Sequence, residues 1–118
     1  MAKEASAQPA HELGIEPLGL RLSAAGYMLD FRYRVTDPQR ALPIVSRATK
    51  PYLIDESTGA KLFIPNPPKV GPLRQTSREP EVDKTYFVLF ANPGRFIKEG
   101  DSVSVAFGEC KLENIVVE

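Results

Sequence analysis

Apolar and polar residues alternate along much of this chain, and this alternation is typical of strands rather than helices. Between Tyr27 and Val35 every second residue is apolar or aromatic, and Asp30, Arg32 and Arg34 lie between them. Period two indicates a strand with one face in a core and one face in water. We therefore expect a nine-residue strand with five core side chains: Tyr27, Leu29, Phe31, Tyr33 and Val35.

Turn residues divide the rest of the chain into further short strands. We expect these at 18–22, 52–55, 60–64, 85–91, 102–107 and 110–117. Asp37 followed by Pro38 is typical of a helix start, but Pro43 limits the expected helix to one turn. Seven or eight short strands separated by turns predict an antiparallel sandwich or barrel, and we expect the sandwich.

The closing hairpin has the sharpest predicted register. Gly108 and Glu109 are the two central residues of its turn, and glycine in the first of them is typical of type II′. Phe107 should then oppose Cys110, Val105 should oppose Leu112, and Val103 should oppose Asn114. Cys110 should be buried, because it shares a face with Leu112 and Phe107.

The length of 118 residues predicts a single domain. Residues 1–14 have no periodic apolar pattern and are expected to be a flexible N-terminal tail, similar to the spacer that follows a cleaved signal segment. The domain should then span 15–118. Residues 65–83 include five prolines and no alternation, which predicts a long Pro-rich loop.

Composition excludes several classes of protein. Fifteen basic and fifteen acidic residues give a formal net charge of zero, which argues against a dedicated nucleic-acid binder. One cysteine and one histidine supply neither a disulfide nor a zinc site, and no carboxylate pair or nucleophile set is evident. We expect no catalytic residue, no metal and no cofactor. No apolar run reaches the roughly 20 residues of a transmembrane helix.

The Pro-rich loop is the first candidate binding site. Its basic residues Lys69, Arg74 and Arg78 have no acidic residue between them, and loops on a rigid sandwich often bind ligands. Residues 21–78 have ten basic and four acidic residues, whereas residues 79–118 have four basic and eight acidic ones. A bipolar surface would favour an anionic partner. Alternatively, the Pro-rich loop is a solvated connector between strands and has no binding function.

The strand at 85–91 is the second candidate. Its residues are apolar on both faces, and one face has Tyr86, Val88 and Phe90. A strand that faced water on that side would not have three large apolar residues there. This face should therefore be covered by the Pro-rich loop, by the N-terminal segment, or by a protein partner or second copy of the chain.

The runs GYMLDFRYRV, YFVLFAN and KEGDSVSVAFG resemble immunoglobulin-like β-sandwich domains of bacterial extracytoplasmic proteins. The resemblance covers about residues 15–117, although the chain has neither the tryptophan nor the cysteine pair of antibody domains. It implies a periplasmic or secreted protein, with a cytoplasmic one as the alternative. We expect a non-catalytic binding or assembly module. A small ligand-processing enzyme and a structural subunit of an envelope assembly are the alternatives.

Overall fold

A computed structural model describes residues 6–7 and 9–118 of the chain. The described part is mostly β, with one α-helix, α1, at Pro38–Val45. No helix in it combines the length and the hydropathy needed to cross a membrane. The eight strands are β1 (Ser6–Ala7), β2 (Ile15–Ser23), β3 (Met28–Val35), β4 (Tyr52–Asp55), β5 (Lys61–Phe63), β6 (Thr85–Ala91), β7 (Ser102–Phe107) and β8 (Cys110–Val116).

The strands form two sheets. One has the order β2-β3-β6, and the other has the order β1-β8-β7-β4-β5. All pairs are antiparallel except the short pairing of β1 with β8. Apolar side chains from both sheets and from α1 share one core. The expected mostly β architecture of antiparallel sheets is therefore confirmed.

Strand β3 has the predicted alternation, but it begins at Met28 and does not include Tyr27. Leu29, Phe31, Tyr33 and Val35 are fully buried. Tyr27 is 55% exposed, so its prediction as a core residue is wrong. It lies in the turn before β3, where the Arg95 guanidinium is 5.7 Å from the centre of its ring. A turn residue does not follow the pleat, which is why period two fails there.

Helix α1 begins as predicted and continues further. The Asp37 side chain accepts hydrogen bonds from the backbone N–H groups of Gln39 and Arg40, with Pro38 in the first turn. The helix has eight residues, so the prediction of a single turn ended by Pro43 is wrong. Ala41, Ile44 and Val45 pack into the core, and this burial offsets the backbone bond that proline cannot make.

The β4–β5 hairpin forms as expected, with Leu53 opposite Leu62. In the closing hairpin Phe107 opposes Cys110 and Val105 opposes Leu112, as predicted. A bulge then shifts the register, so that Val103 opposes Ile115 instead of Asn114.

Two further expectations for this hairpin are wrong. Cys110 is half-buried rather than buried, because it lies beside the turn at the end of the sheet. Ser104 and Ala106 alternate with the core residues of β7, which predicts that they face water, but both are fully buried. Their strand, β7, lies inside its sheet between β4 and β8, and the Ser104 hydroxyl donates to the Glu56 carboxylate.

Residues 10–14 belong to the packed domain rather than to a tail. Ala10–Leu13 form a 3-10 turn, and Leu13 is buried in the core. Gly14 has a φ of +73°, and a Cβ at this position would lie 2.5 Å from the Asp37 carbonyl oxygen. The expectation of a flexible tail thus fails at 10–14, because apolar Leu13 gains by burial. For residues 1–5 and 8 it lies outside the described residues.

Both edges of the three-stranded sheet are covered by other parts of the chain. On the β6 side, the Gln75 N–H donates to the Phe87 carbonyl at 3.0 Å, and the Leu89 N–H donates to the Leu73 carbonyl at 2.9 Å. On the β2 side, the backbone N–H of Glu118 donates to the Leu20 carbonyl at 2.8 Å. The Pro-rich loop is therefore a packed element where it meets β6.

Candidate functional site

A wide depression lies between the segment that follows α1, the open end of the β4–β5 hairpin and the Pro-rich loop. We call it the basic groove, and its volume is about 660 Å³. That volume is within the range of about 300–1,000 Å³ typical of small-ligand sites. Its lining residues are Arg47, Thr49, Lys50, Pro51, Tyr52, Phe63, Ile64, Asn66, Val70, Gly71, Pro72, Arg74 and Thr76.

The β4–β5 hairpin supplies an aromatic wall. Tyr52 and Phe63 are cross-strand neighbours, and their side chains point away from the core because Leu53 and Leu62 point into it. Their ring centres are 6.3 Å apart. Phe63 is 60% exposed, and Val70 on the facing loop is 72% exposed. The groove therefore has apolar surface on both sides.

The Pro-rich loop holds the end of α1. The last four carbonyls of a helix have no partner within it and need other donors. Ser46 N–H binds the Leu42 carbonyl, and Ser77 N–H binds the Val45 carbonyl at 3.1 Å. The Thr49 hydroxyl donates to the Pro43 carbonyl. The fourth carbonyl, of Ile44, accepts from the Arg74 guanidinium at 2.8 Å.

Arg74 is thus fixed at the base of the groove. Its second terminal nitrogen donates to the Thr49 carbonyl at 2.6 Å, while Nε is buried without a partner. Burial lowers the pKa of the Arg74 guanidinium, although arginine stays protonated in proteins. Burial also raises the pKa of the neighbouring Tyr33 phenol to about 12, so this phenol stays neutral and does not offset the arginine charge.

The basic groove has a positive charge that no carboxylate neutralises. Arg47, Lys50 and Arg74 make no ion pair within the described residues, and the lining includes no acidic side chain. The outer face of the three-stranded sheet differs, because there Arg32 pairs with Asp30, and Arg34 pairs with Glu16 and Asp83. The groove therefore holds three cations that have no carboxylate partner within the described residues.

A second depression of about 530 Å³ continues the basic groove. The two share Arg47 and Thr76, and the second adds Arg78 together with Leu42, which is 42% exposed. Basic and apolar side chains therefore follow one another across both depressions.

The structure separates the three predicted loop residues. Arg74 lies at the base of the basic groove, and Arg78 lines the second depression. Lys69 is exposed and lines neither of them. Sequence reasoning missed Arg47 and Lys50, which come from outside the loop. Their only signal was the excess of basic residues over 21–78, and that excess does not show which of them meet in space.

Tyr86, Val88 and Phe90 are at most 1% exposed. They point from β6 into the core between the two sheets, so this face is not available to a partner. Their role as a binding or assembly face is therefore wrong: the expected cover is present, but the opposing sheet supplies it instead of the loop, the N-terminal segment or a second chain. The outward residues of β6 are half-buried Phe87 and Leu89.

The lining of the groove lacks the side chains that most often bind metals. Its lining has no carboxylate, histidine or cysteine, and the described residues include no cluster of three or more such side chains placed to hold a metal. Asp55 is buried at the opposite end of β4. The Thr58 hydroxyl donates a hydrogen bond to its carboxylate, and this bond holds the pKa of Asp55 below the usual range. What the groove can do is bind anions beside apolar surface.

Comparison with protein-family models, with curated proteins and with solved structures gave no match to this chain.

Proposed function

We propose that this protein is a non-catalytic binding module whose basic groove takes an anionic ligand. The observation that supports the proposal most is the unneutralised charge of Arg74, Arg47 and Lys50 around one depression. Charge-assisted hydrogen bonds from arginine to a carboxylate or phosphate are about twice as strong as neutral ones. A partly desolvated arginine without a carboxylate partner gains most from such a ligand.

The position of Arg74 favours binding over a purely structural role. Its bonds to the Ile44 carbonyl at the end of α1 and to the Thr49 carbonyl beyond it occupy only two of its five N–H donors. Carbonyls supply partial charges, so the full positive charge still acts on the groove. Arg47 and Lys50 have no hydrogen bond from their side chains in the described chain, so both are free to follow a ligand.

The finer fold assignment is also a proposal: an immunoglobulin-like sandwich. Strands β2, β3 and β6 form one sheet, and β4, β7 and β8 are neighbours in the other. Counted from β2, these are strands one, two and five, and strands three, six and seven. The constant-type immunoglobulin sandwich has these same groupings. Strand four differs, since β5 pairs with β4 instead of joining the sheet of β2, β3 and β6. An extracytoplasmic location remains part of this proposal and rests on the resemblance alone.

The groove is tested by titrating ¹⁵N-labelled protein with citrate and with inorganic phosphate. We expect amide shifts concentrated at 47–52 and 70–76. The double variant Arg47→Gln, Lys50→Gln should weaken citrate binding at least about tenfold, since each lost charge-assisted bond contributes about 1.5–3 kcal/mol. Lys98→Gln is the matched control, because Lys98 is exposed, makes no ion pair with any described residue and lies outside the groove.

Shifts spread evenly over the surface, or equal loss in the Lys98→Gln control, would contradict an anion site in the groove. A turnover of any ester, peptide or phosphate substrate that disappears with the Arg47→Gln, Lys50→Gln pair would favour the enzyme alternative instead.

A further inference from the structure

The chain has its own candidate ligand for the basic groove. Residues 79–83, which we call the acidic turn, follow directly after Arg78 of the second depression. Glu79 and Glu81 are exposed and make no ion pair within the described residues. Between Glu81 and Asp83, Val82 is 58% exposed. The turn thus presents two free carboxylates together with an apolar side chain.

Other carboxylates of the described chain are less suited to this role. Five ion pairs use the side chains of Glu16, Asp30, Asp37, Glu113 and Glu118. Those of Asp55, Glu56 and Asp101 accept hydrogen bonds from neighbouring residues. Glu12, Glu99 and Glu109 are also exposed and make no ion pair within the described residues, but none of them has a second free carboxylate within two residues. The acidic turn has two free carboxylates beside an exposed large apolar residue. That combination matches what the groove offers: unpaired cations beside Phe63 and Val70.

We infer that the occupant of the basic groove is the acidic turn of a second copy of this chain. This inference rests on the proposed function, since it names the anionic ligand of the same groove. The acidic turn follows Arg78 of the second depression, and that depression continues the groove. A two-fold axis near this surface lets each copy present its turn to the groove of the other. Such an interface is self-complementary and closes as a dimer.

The charge of the whole chain agrees with this pairing. Its formal net charge is zero, so two copies do not repel each other over long range, and a net charge near zero promotes association. The attraction between Glu79 or Glu81 and the groove cations is local. It should therefore weaken as salt screens it.

Sedimentation of the full chain over a range of concentrations tests the inference. We expect a monomer–dimer equilibrium whose dissociation constant rises at least about tenfold when NaCl is raised from about 0.05 M to about 0.5 M. The groove variant Arg47→Glu, Lys50→Glu and the turn variant Glu79→Lys, Glu81→Lys should each be monomeric. An equimolar mixture of the two should form a heterodimer. At one contact an unchanged acidic turn meets an unchanged basic groove, and at the other contact the two reversed sets of charges complement each other.

Lys98→Glu is the control and should dimerise like the parent chain. Circular dichroism on each variant shows whether it folds, and the salt dependence of the parent chain tests the inference without any variant. A monomer at every concentration and salt level would overturn the inference, as would a mixture that stays monomeric. If citrate still shifts the groove amides in a monomeric chain, the proposed function stands and only the second copy is lost.

Discussion

Asn92 shows how one buried side chain can join two turns. Its Nδ2 donates to the carbonyls of Gly26 and Ile97 at 2.9 Å each, and its Oδ1 accepts from the Ile97 N–H at 2.9 Å. It is fully buried and uses both ends of the amide. Aspartate has nearly the same shape but no side-chain donor.

Asn92→Asp should therefore lower the free energy of unfolding by about 3 kcal/mol or more, because it buries a charge and leaves two carbonyls without donors. Urea unfolding measures this. Asn114→Asp at an exposed position is the control and should change stability little. Equal losses in both variants would show that the contacts of Asn92 do not matter.

Asp55 gives a prediction about pH. Hydrogen bonds from Thr58 and Ser57 hold the pKa of its carboxyl below the ordinary value of 3.8. A lowered folded-state pKa contributes stability that is complete above the unfolded-state pKa and is lost as the pH falls through the folded-state value. The parent chain should thus lose more stability than Asp55→Asn between pH 5 and pH 3, as measured by urea unfolding. An identical pH dependence in the two proteins would contradict this.

At the scale of single elements, the bulge in β8 depends on one backbone conformation. Asn114 has a φ of +58°, which asparagine and glycine tolerate better than β-branched residues. Asn114→Gly should leave the midpoint of thermal unfolding nearly unchanged, and Asn114→Val should lower stability by about 1–2 kcal/mol. If the valine variant is as stable as the parent chain, the bulge does not need this conformation.

The same strand shows where sequence patterns stop being informative. Alternation and turn chemistry predicted the strands and the first part of the β7–β8 register, because period two and a Gly-Glu turn are local features. The bulge adds one residue to β8, and the alternation of Val103 and Val105 in β7 does not reveal it. Helix α1 exceeded its prediction for a similar reason: the burial of Ile44 and Val45 depends on a core that only the whole fold creates.

At the scale of the whole molecule, the Pro-rich loop joins the two sheets. Because the Gln75 and Leu89 N–H groups bond across the loop–β6 contact, their amides should exchange slowly with solvent. The Lys69 amide, on the exposed part of the loop, should exchange fast. Hydrogen exchange followed by NMR measures all three. Fast exchange at Gln75 would show that the loop leaves the edge of β6 readily.

The candidate site was predictable only in part, because its residues come from separate parts of the sequence. The basic loop residues pointed to anions, and Arg74 does lie in the groove. Arg47, Lys50 and Phe63 come from other elements, and only the packing of α1 and the hairpin against the loop brings them to Arg74. The face with Tyr86 was misassigned because an apolar run does not show which side the second sheet will cover.

The contact between the Pro-rich loop and β6 links binding in the groove to aggregation of the chain. Residues 73–75 cover the edge of β6, and Arg74 among them also lies at the base of the groove. An anion that binds only the closed loop stabilises it by mass action. When the loop opens, β6 becomes an unprotected edge that can pair with strands of other molecules. The tendency of this protein to aggregate should therefore fall as the concentration of an anion that binds the groove, such as citrate, rises.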